Sequence, residues 1–203
     1  MIDHTESMLS TTPAALTNRD RLIASARLLF SEKGFADVSV DEVAAAAGLT
    51  KGAVYYQFKD KTALFRAACE AVVADVGRYV DQATMGITQH AIDEIVTGGD
   101  KWLDAYESPE ARRMLLIDGP SVLGVEAWTA LQEPIGVALV AHALGHLVED
   151  GRMEAAVVPA LANMIFGAFV QGALRIAVSA DPATTSAEVR RAARTLTEGL
   201  LNR

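Results

Sequence analysis

The hydrophobic positions of the chain follow a helical period over most of its length. Leu22, Ala26, Leu29 and Phe30 share one helix face at i, i+4, i+7 and i+8, and Gly34 is expected to end that helix. No stretch alternates apolar and polar residues for long enough to form a strand. The pattern therefore predicts an all-α protein.

A second, short helix is predicted after Ser39, whose side chain can cap the first turn. Glu42 follows three residues later, as in a capping box. Gly48 is expected to end this helix, and Thr50 is expected to cap a third helix that runs to about Lys59. Two short helices joined by a three-residue turn have the outline of a helix-turn-helix.

The rest of the chain is predicted to be helical, beginning with a fourth helix capped by Asp60. Glycine and proline pairs are expected to divide it into about six more helices. These boundaries are Gly98-Gly99, Ser108-Pro109, Asp118-Gly119-Pro120, Glu133-Pro134, Asp150-Gly151 and Asp181-Pro182. Thr185 and Glu188 predict a capping box for the last helix.

The charge of the chain is distributed unevenly along the sequence. Its formal net charge is −8, which taken alone argues against a nucleic-acid partner. Residues 19–66 nevertheless contain eight Lys or Arg against six Asp or Glu, whereas residues 67–203 contain ten against eighteen. Any surface for an anionic partner is therefore expected within residues 19–66.

Composition indicates a folded protein with a sizeable core. The chain has 203 residues, 51% of them hydrophobic, and Cys69 is its only cysteine, which we expect to be a small buried residue without a disulfide. The N-terminus does not resemble a secretory signal. The most apolar stretch, residues 155–178, contains Pro159 and Arg175, so we expect a buried helix, no membrane span and a cytoplasmic location.

The predicted third helix has an inward and an outward face. At 100° per residue, Val54 and Phe58 face the core with Thr50 beside them. The outward side carries Gly52, Tyr55, Tyr56 and Lys59, flanked by Lys51. Lysine and tyrosine side chains suit contact with phosphates and sugars, although the alternative is an ordinary solvated surface. Lys61, in the first turn of the next helix, would add a second phosphate site.

The segment from about Arg19 to Phe65 resembles the DNA-binding domain of the TetR/AcrR family of transcriptional regulators. The similarity lies in ARLLFSEKGF and VSVDEVAAAAGLTKGAVYYQFKDKTALF, with Gln57 where the family often carries His. The resemblance implies an N-terminal three-helix helix-turn-helix DNA-binding domain, followed by a larger helical effector-binding and dimerisation domain. The corresponding boundaries are a flexible arm at 1–18, a DNA-binding domain at 19–65 and a helical domain at 66–203.

The resemblance also implies roles for individual residues. Contacts to base edges are implied for Lys51, Gly52, Ala53 and Tyr55. Contacts to phosphates are implied for Ser39, Thr50, Tyr56, Gln57 and Lys61. Lysine binds guanine O6 and N7, so Lys51 is expected to determine specificity, and Lys61 to strengthen binding to all sequences about equally.

The resemblance of residues 67–203 is weaker, and the segment LLIDGPSVLGVEAW carries it. It implies a small-molecule effector and a homodimer. Candidate pocket residues are the large side chains Trp102, Tyr106, Met114, Trp128 and Phe169, each of which is alternatively ordinary core. Pro134–Glu149 and Pro159–Ser179 are apolar and rich in small residues, so they need packing partners on most faces. One core within the chain is the alternative, and the resemblance implies a four-helix interface between two subunits.

The sequence therefore predicts a homodimeric, ligand-responsive repressor that binds a palindromic DNA operator and has no cofactor. A metal-responsive regulator is the alternative, because His142 and His146 lie four residues apart on one helix face. HALGH lacks the glutamate of HExxH, so no metal is expected there. A helical protein without a small-molecule ligand is a further alternative. No hydrolase or phosphate-loop motif is present, and an enzyme is not expected.

Overall fold

The computed structural model describes residues 16–87 and 91–201, and within these residues every regular element is helical. This confirms the all-α prediction. The elements are α1 (Asn18–Lys33), α2 (Val40–Ala46), α3 (Lys51–Gln57), α4 (Lys61–Thr84), α5 (Ala91–Glu107), α6 (Pro109–Ala111), a π-helical segment (Arg112–Asp118), α7 (Gly119–Leu123), α8 (Val125–Glu149), a 3₁₀ turn (Ala155–Val157), α9 (Val158–Ala177) and α10 (Pro182–Leu201).

The first helix begins slightly earlier than the sequence predicts. Thr17 and Asp20 form a capping box, so α1 starts at Asn18 rather than at Arg19. Gly34 ends α1 with a φ of 83°, a conformation that favours glycine, as expected. The rest of the predicted N-terminal arm, residues 1–15, lies outside the described residues.

We call residues 19–65, which contain α2, α3, nearly all of α1 and the start of α4, the head. The predicted capping box of α2 is confirmed: Ser39 Oγ accepts from the Glu42 amide at 3.1 Å, and the Ser39 amide donates to Glu42 at 2.8 Å. Gly48 follows α2 with a φ of 65°. Thr50 Oγ1 accepts from the Ala53 amide at 3.2 Å and begins α3. The helix-turn-helix outline is thereby present.

Helix α4 joins the head to residues 66–203, which we call the body. Asp60 caps it as predicted, accepting from the Ala63 amide at 2.7 Å. The helix then continues without a break to Thr84, packing against α1 near its start and against α5 and α8 further along. Cys69 is fully buried in it, as expected. Movement of the body can therefore reach the head through a continuous helix.

Two of the predicted boundaries of the body fall inside single helices and are wrong. Gly98 and Gly99 lie inside α5, where Gly99 gives room to the Phe169 ring, which a Cβ at Gly99 would overlap. Pro134 lies inside α8, which runs unbroken to Glu149. Packing of α8 against α4, α5 and α9 offsets the hydrogen bond that the proline removes.

The other boundaries are partly confirmed. Ser108 caps α6. Helix α8 ends at the Asp150-Gly151 pair, and α10 begins at the Asp181-Pro182 pair. The Asp118-Gly119-Pro120 break is wrong, because the π-helical segment continues directly into α7. The capping box at Thr185 is also wrong. Asp181 accepts from the Thr184 amide at 3.2 Å and begins α10 earlier.

Two helical stretches of the body, Val125–Glu149 and Ala155–Ala177, are long and apolar enough to cross a membrane by length and composition alone. Core helices of soluble proteins pass the same test. Only 28% of the most apolar window of each is buried within the chain. These helices therefore leave much of their surface uncovered in the single chain.

Candidate DNA-binding surface and effector cavity

Helix α3 is held to the head by the two residues that the sequence assigned to its inner face. Val54 and Phe58 are buried, which confirms their orientation. The Arg19 guanidinium lies 4.6 Å from the centroid of the Phe58 ring and covers it. Thr50, expected beside them, is exposed instead, because its hydroxyl caps α3 from outside. The orientation of α3 is therefore fixed mainly by Val54 and Phe58 on its inner side.

The outer side of α3 is exposed. Tyr56 is 87% exposed and Tyr55 is 50% exposed. Gly52 is exposed too, and a Cβ there would meet only Thr50 Oγ1, at 3.8 Å. The helix ends at Gln57 because Phe58 is extended, so Lys59 lies past the helix rather than on its outer face, where the sequence predicted it. The result is a short, protruding surface with tyrosines and little steric bulk.

Lys51, the residue expected to determine specificity, has a partner that sequence reasoning missed. Its Nζ donates to Asp41 Oδ2 of α2 at 2.8 Å, and both side chains are exposed. This hydrogen bond, together with the charge of Asp41, raises the pKa of Lys51. An exposed ion pair is weak, so Lys51 can exchange Asp41 for a DNA acceptor at small cost.

Lys61 is more constrained than the sequence suggested. Its ammonium donates to the Val38 carbonyl at 2.7 Å and to the Ala36 carbonyl at 3.3 Å, and it lies 4.3 Å from the centroid of the Phe35 ring. These contacts hold the loop between α1 and α2 against the start of α4. A lysine ammonium has three N–H donors, and two of them bind these carbonyls. A phosphate contact would therefore use the third donor of a side chain that is already held in place.

The start of α2 is a second exposed helix terminus beside α3. Here the Ser39 amide donates to the Glu42 carboxylate, and Lys33 Nζ donates to it at 3.0 Å. These hydrogen bonds lower the pKa of Glu42 to about 2. The Ser39 hydroxyl accepts from the Glu42 amide at 3.1 Å, so the first turn of α2 is capped on both sides of the pair.

Between α5, α8 and α9 the body contains a narrow cavity of about 40 Å³. Two of the five candidate pocket residues, Trp102 and Phe169, line it. The indole Nε1 of Trp102 is buried and has no hydrogen-bond partner among the described residues. Such a group is costly unless something accepts from it, which makes it a natural contact for a bound ligand.

The other three candidate pocket residues do not line this cavity. Tyr106 is buried and donates to Gln132 Oε1 at 2.5 Å, and burial raises its pKa. Trp128 donates from Nε1 to the Leu115 carbonyl at 2.6 Å, and Met114 is fully buried. Tyr106 and Trp128 line separate pockets of about 80 and 200 Å³, whereas Met114 belongs to the core.

At one edge of the cavity, Glu94 of α5 lies against His142 and His146 of α8. Sequence reasoning found the histidine pair but missed Glu94, although a carboxylate between Ala91 and Ile95 on the apolar side of α5 was a detectable signal. Burial raises the pKa of the Glu94 carboxyl, and the two imidazoles oppose that shift.

The head and the body are joined by polar contacts in addition to α4. Arg27 of α1 donates to both oxygens of Glu110, each at 2.9 Å, and to Asp75 at 2.7 Å. The Phe35 amide donates to Asp118 at 2.8 Å. Glu110 belongs to α6 and Asp118 to the π-helical segment, and both segments are in contact with α1.

Comparison with known proteins agrees with this geometry. Residues 22–68 match the family model described as "Bacterial regulatory proteins, tetR family", and residues 92–200 match "Tetracyclin repressor-like, C-terminal domain". The Transposon Tn10 TetC protein of Escherichia coli is 33% identical over 95 residues, which cover 42% of this chain and 48% of that protein. The chain thus spans about half the length of this curated relative.

Two solved structures share the fold over nearly the whole chain. A TetR-family transcriptional regulator from Pectobacterium atrosepticum is 29% identical, with a TM-score of 0.78, and the match covers 91% of this chain and 94% of that one. FadR of Thermus thermophilus, a TetR-family repressor in complex with lauroyl-CoA, is 19% identical, with a TM-score of 0.69 and coverage of 91% and 96%.

An N-terminal helix-turn-helix unit followed by a larger helical domain defines a class of DNA-binding transcriptional regulators. The two family models together cover most of the chain, and the chain belongs to the TetR family of bacterial transcriptional regulators. This is a family of regulators rather than of enzymes.

Proposed function

We propose that this chain is a homodimeric, ligand-responsive repressor that binds a palindromic DNA operator through α3. The observation that carries the proposal is the two-sided structure of α3, with Val54 and Phe58 buried and Lys51, Tyr55 and Tyr56 exposed. A short helix that is anchored from one side only and offers cations and phenols on the other suits insertion into the major groove.

The proposed contacts follow the exposed surface of the head. Base edges are contacted by Lys51, Gly52, Ala53 and Tyr55. Phosphates are contacted by Ser39, Thr50, Tyr56, Gln57 and Lys61. Gly52 supports this division, because its missing side chain lets α3 approach the bases closely, with Lys51 and Tyr55 on either side.

The dimer is proposed to form through the uncovered side of α9, with α10 beside it. On α9, Met164 is 71% exposed, and the small residues Gly167 and Ala168 near it are exposed as well. Leu196 of α10 is also exposed, and a shallow groove lies between the two helices. A second copy would cover this apolar surface, and the polar Gln171 and Arg175 suit a protein partner better than lipid. The sequence assigned Pro134–Glu149 and Pro159–Ser179 to a four-helix interface; the present proposal keeps α9 and adds α10, because the groove lies between these two helices.

The effector is proposed to bind in the cavity between α5, α8 and α9. Its apolar lining and the unpaired Trp102 Nε1 favour a small molecule with an apolar body and one hydrogen-bond acceptor. A cavity of about 40 Å³ has room for little more than water, so a ligand must separate the helices as it enters.

This separation is the proposed route of release. Helices α5 and α8 pack on α4. Helix α6 contacts Arg27 of α1, and Asp118 of the π-helical segment accepts from the Phe35 amide in the loop after α1. Displacing these helices would rotate the two heads away from half-sites about 34–36 Å apart or a multiple of that spacing. The ligand acts only as far as it binds the released state more tightly than the DNA-bound state.

Selection of bound DNA from a random pool tests the central claim. We expect enrichment of one palindromic sequence, because each head of a two-fold dimer contacts one half-site. No enrichment, under salt conditions low enough to retain nonspecific binding, would contradict DNA recognition. An enriched sequence without two-fold symmetry would contradict the dimer and leave recognition by α3 intact.

The dimer surface has its own test by light scattering at micromolar concentration. We expect Ala168→Arg on the exposed side of α9 to shift the chain to monomer. The matched control is Ala130→Arg on the exposed side of α8, which should leave the dimer unchanged. A wild-type monomer, or equal effects of both variants, would contradict the proposed interface.

A further inference from the structure

Glu94, His142 and His146 bring a carboxylate and two imidazoles to one point at the edge of the cavity. Glu94 Oε2 lies 3.5 Å from His146 Nε2, and Glu94 Oε1 lies 3.9 Å from His142 Nε2. One potential ligand atom from each of the three residues lies within 4.8 Å of the others. Ligands around a tetrahedral zinc ion are about 3.4 Å apart, given bonds of about 2.0–2.2 Å, so small side-chain adjustments would complete the arrangement.

Within the part of the chain that the structure describes, two of these polar atoms are buried without a hydrogen-bond partner. They are Glu94 Oε2 and His146 Nε2, which face each other across the 3.5 Å gap. The Glu94 side chain is only 9% exposed. Leaving an acceptor and an imidazole nitrogen unpaired inside a protein is costly, and a bound cation between them would satisfy both.

The chemistry of the three groups favours a transition metal over magnesium or calcium. Imidazole nitrogen suits zinc, copper, nickel and iron, whereas magnesium and calcium prefer oxygen ligands. Glu149 Oε2 lies 3.4 Å from His146 Nδ1. A carboxylate beside the second ring nitrogen is the usual support of a metal-binding histidine, since it fixes the tautomer and the ring orientation.

The cluster also has an entry path and an open side. The His142 side chain is 70% exposed and the His146 side chain 23%, so the site runs from solvent into the protein. Glu94 itself lines the cavity that contains Trp102. Three protein ligands leave a fourth position free on a tetrahedral ion, as in sites that bind a further molecule.

We propose that Glu94, His142 and His146 form a binding site for one divalent transition-metal ion, with zinc as the first candidate, at the edge of the body cavity. This site goes beyond the proposed DNA-binding function and does not depend on it. The histidine pair alone offers two ligands; Glu94, contributed by another helix, supplies the third.

The test is metal binding by the full chain after removal of metal with a chelator. Zinc is titrated directly by calorimetry, and cobalt is used as a spectroscopic probe whose visible absorption reports ligand geometry. We expect one zinc per chain, a higher melting temperature with zinc, and cobalt bands of a four- or five-coordinate ion. Glu94→Gln, His142→Gln and His146→Gln should each weaken zinc binding by at least about 100-fold, more than loss of a supporting carboxylate costs.

The matched control is Asp93→Asn, which removes a carboxylate from the neighbouring exposed position of α5 and should bind zinc like the wild type. Melting of every variant in chelator shows whether it is folded. If the wild type binds no zinc, the three groups are only an ion-pair cluster and the proposal is wrong. Equal zinc affinity in Glu94→Gln and Asp93→Asn would also overturn it, because binding would then rest on surface histidines alone. Neither result bears on DNA selection, so failure here leaves the regulator proposal standing.

Discussion

In the head, the residues with a proposed function lie on the outer surface of α3 and at the exposed starts of α2 and α4, whereas in the body they surround a cavity between helices. The head places Lys51, Tyr55 and Tyr56 in solvent, over a core made of ordinary apolar side chains. The body does the reverse, with Trp102 and Glu94 turned inward. Substitution of outer residues in the head should therefore change binding at constant stability, while substitution of functional residues in the body should change both.

This difference also has a mechanical side. The head is short, capped at each helix start and closed around a few buried residues, so it can move as a unit. In the body, some glycines inside helices leave room for aromatic rings of a neighbouring helix. A Cβ at Gly136 would overlap the Phe166 ring, and one at Gly99 would overlap Phe169. The body is therefore the part in which a small change of volume forces helices apart.

The largest effect is expected from Gly136→Ala in α8. The added methyl group would overlap the Phe166 ring, which is packed edge-on against Trp102 with 4.9 Å between ring centroids. We expect the free energy of unfolding to fall by about 1–3 kcal/mol, as in overpacked cores. Gly145→Ala in the same helix is the matched control. Its Cβ meets nothing within 4 Å, and it should gain about 0.5–1 kcal/mol. Similar denaturation curves for the two variants would contradict the claim that the packing around Gly136 has no room for an added methyl group.

The next effect is expected from Lys51→Ala in the head, measured on operator and scrambled DNA. Loss of a base contact should weaken operator binding by about ten- to a hundredfold and leave scrambled DNA nearly unaffected, with no change in melting temperature.

Lys61→Ala is the comparison for this measurement, and it should weaken both DNAs about equally. It should also lower the melting temperature, because Lys61 donates to the Val38 carbonyl. A uniform loss of affinity in both variants would remove the proposed division between base and phosphate contacts.

The same comparison explains what could be predicted from the sequence. In the head, capping residues, the glycine turn and the outward residues lie within one short segment, so local rules found α2, α3 and the inward pair Val54 and Phe58. In the body, Glu94 meets His146 only because α5 packs against α8. No local pattern contains that contact. Gly99 was misinterpreted for the same reason, since its partner Phe169 lies on another helix.

A smaller effect is expected from Asp41→Asn, which removes the partner of Lys51 without changing α3. The exposed pair at 2.8 Å contributes little to stability, so the melting temperature should barely change. Freed from a competing carboxylate, Lys51 should bind operator DNA more tightly, by at most about fivefold. In a Lys51→Ala background, Asp41→Asn should increase operator affinity less, because the part of the increase that acts through Lys51 is absent. An unchanged gain there would mean that Asp41 acts only as a negative charge facing DNA.

The smallest effect is a pH dependence located in the head. The Ser39 amide and Lys33 lower the pKa of Glu42 from 4.5 to about 2. Ionised Glu42 therefore stabilises the folded head above about pH 4.5, and this contribution is lost as the pH falls through about 2.

Glu42→Gln keeps an acceptor for the capping box but removes the charge. The variant should melt slightly below the wild type at neutral pH, and the difference should shrink steadily as the medium is acidified. Glu32→Gln on the exposed surface of α1 removes the same formal charge without a capping role, and it is the control at neutral pH. If Glu42→Gln melts no lower than Glu32→Gln at neutral pH, the charge of Glu42 does not stabilise the head through the capping box.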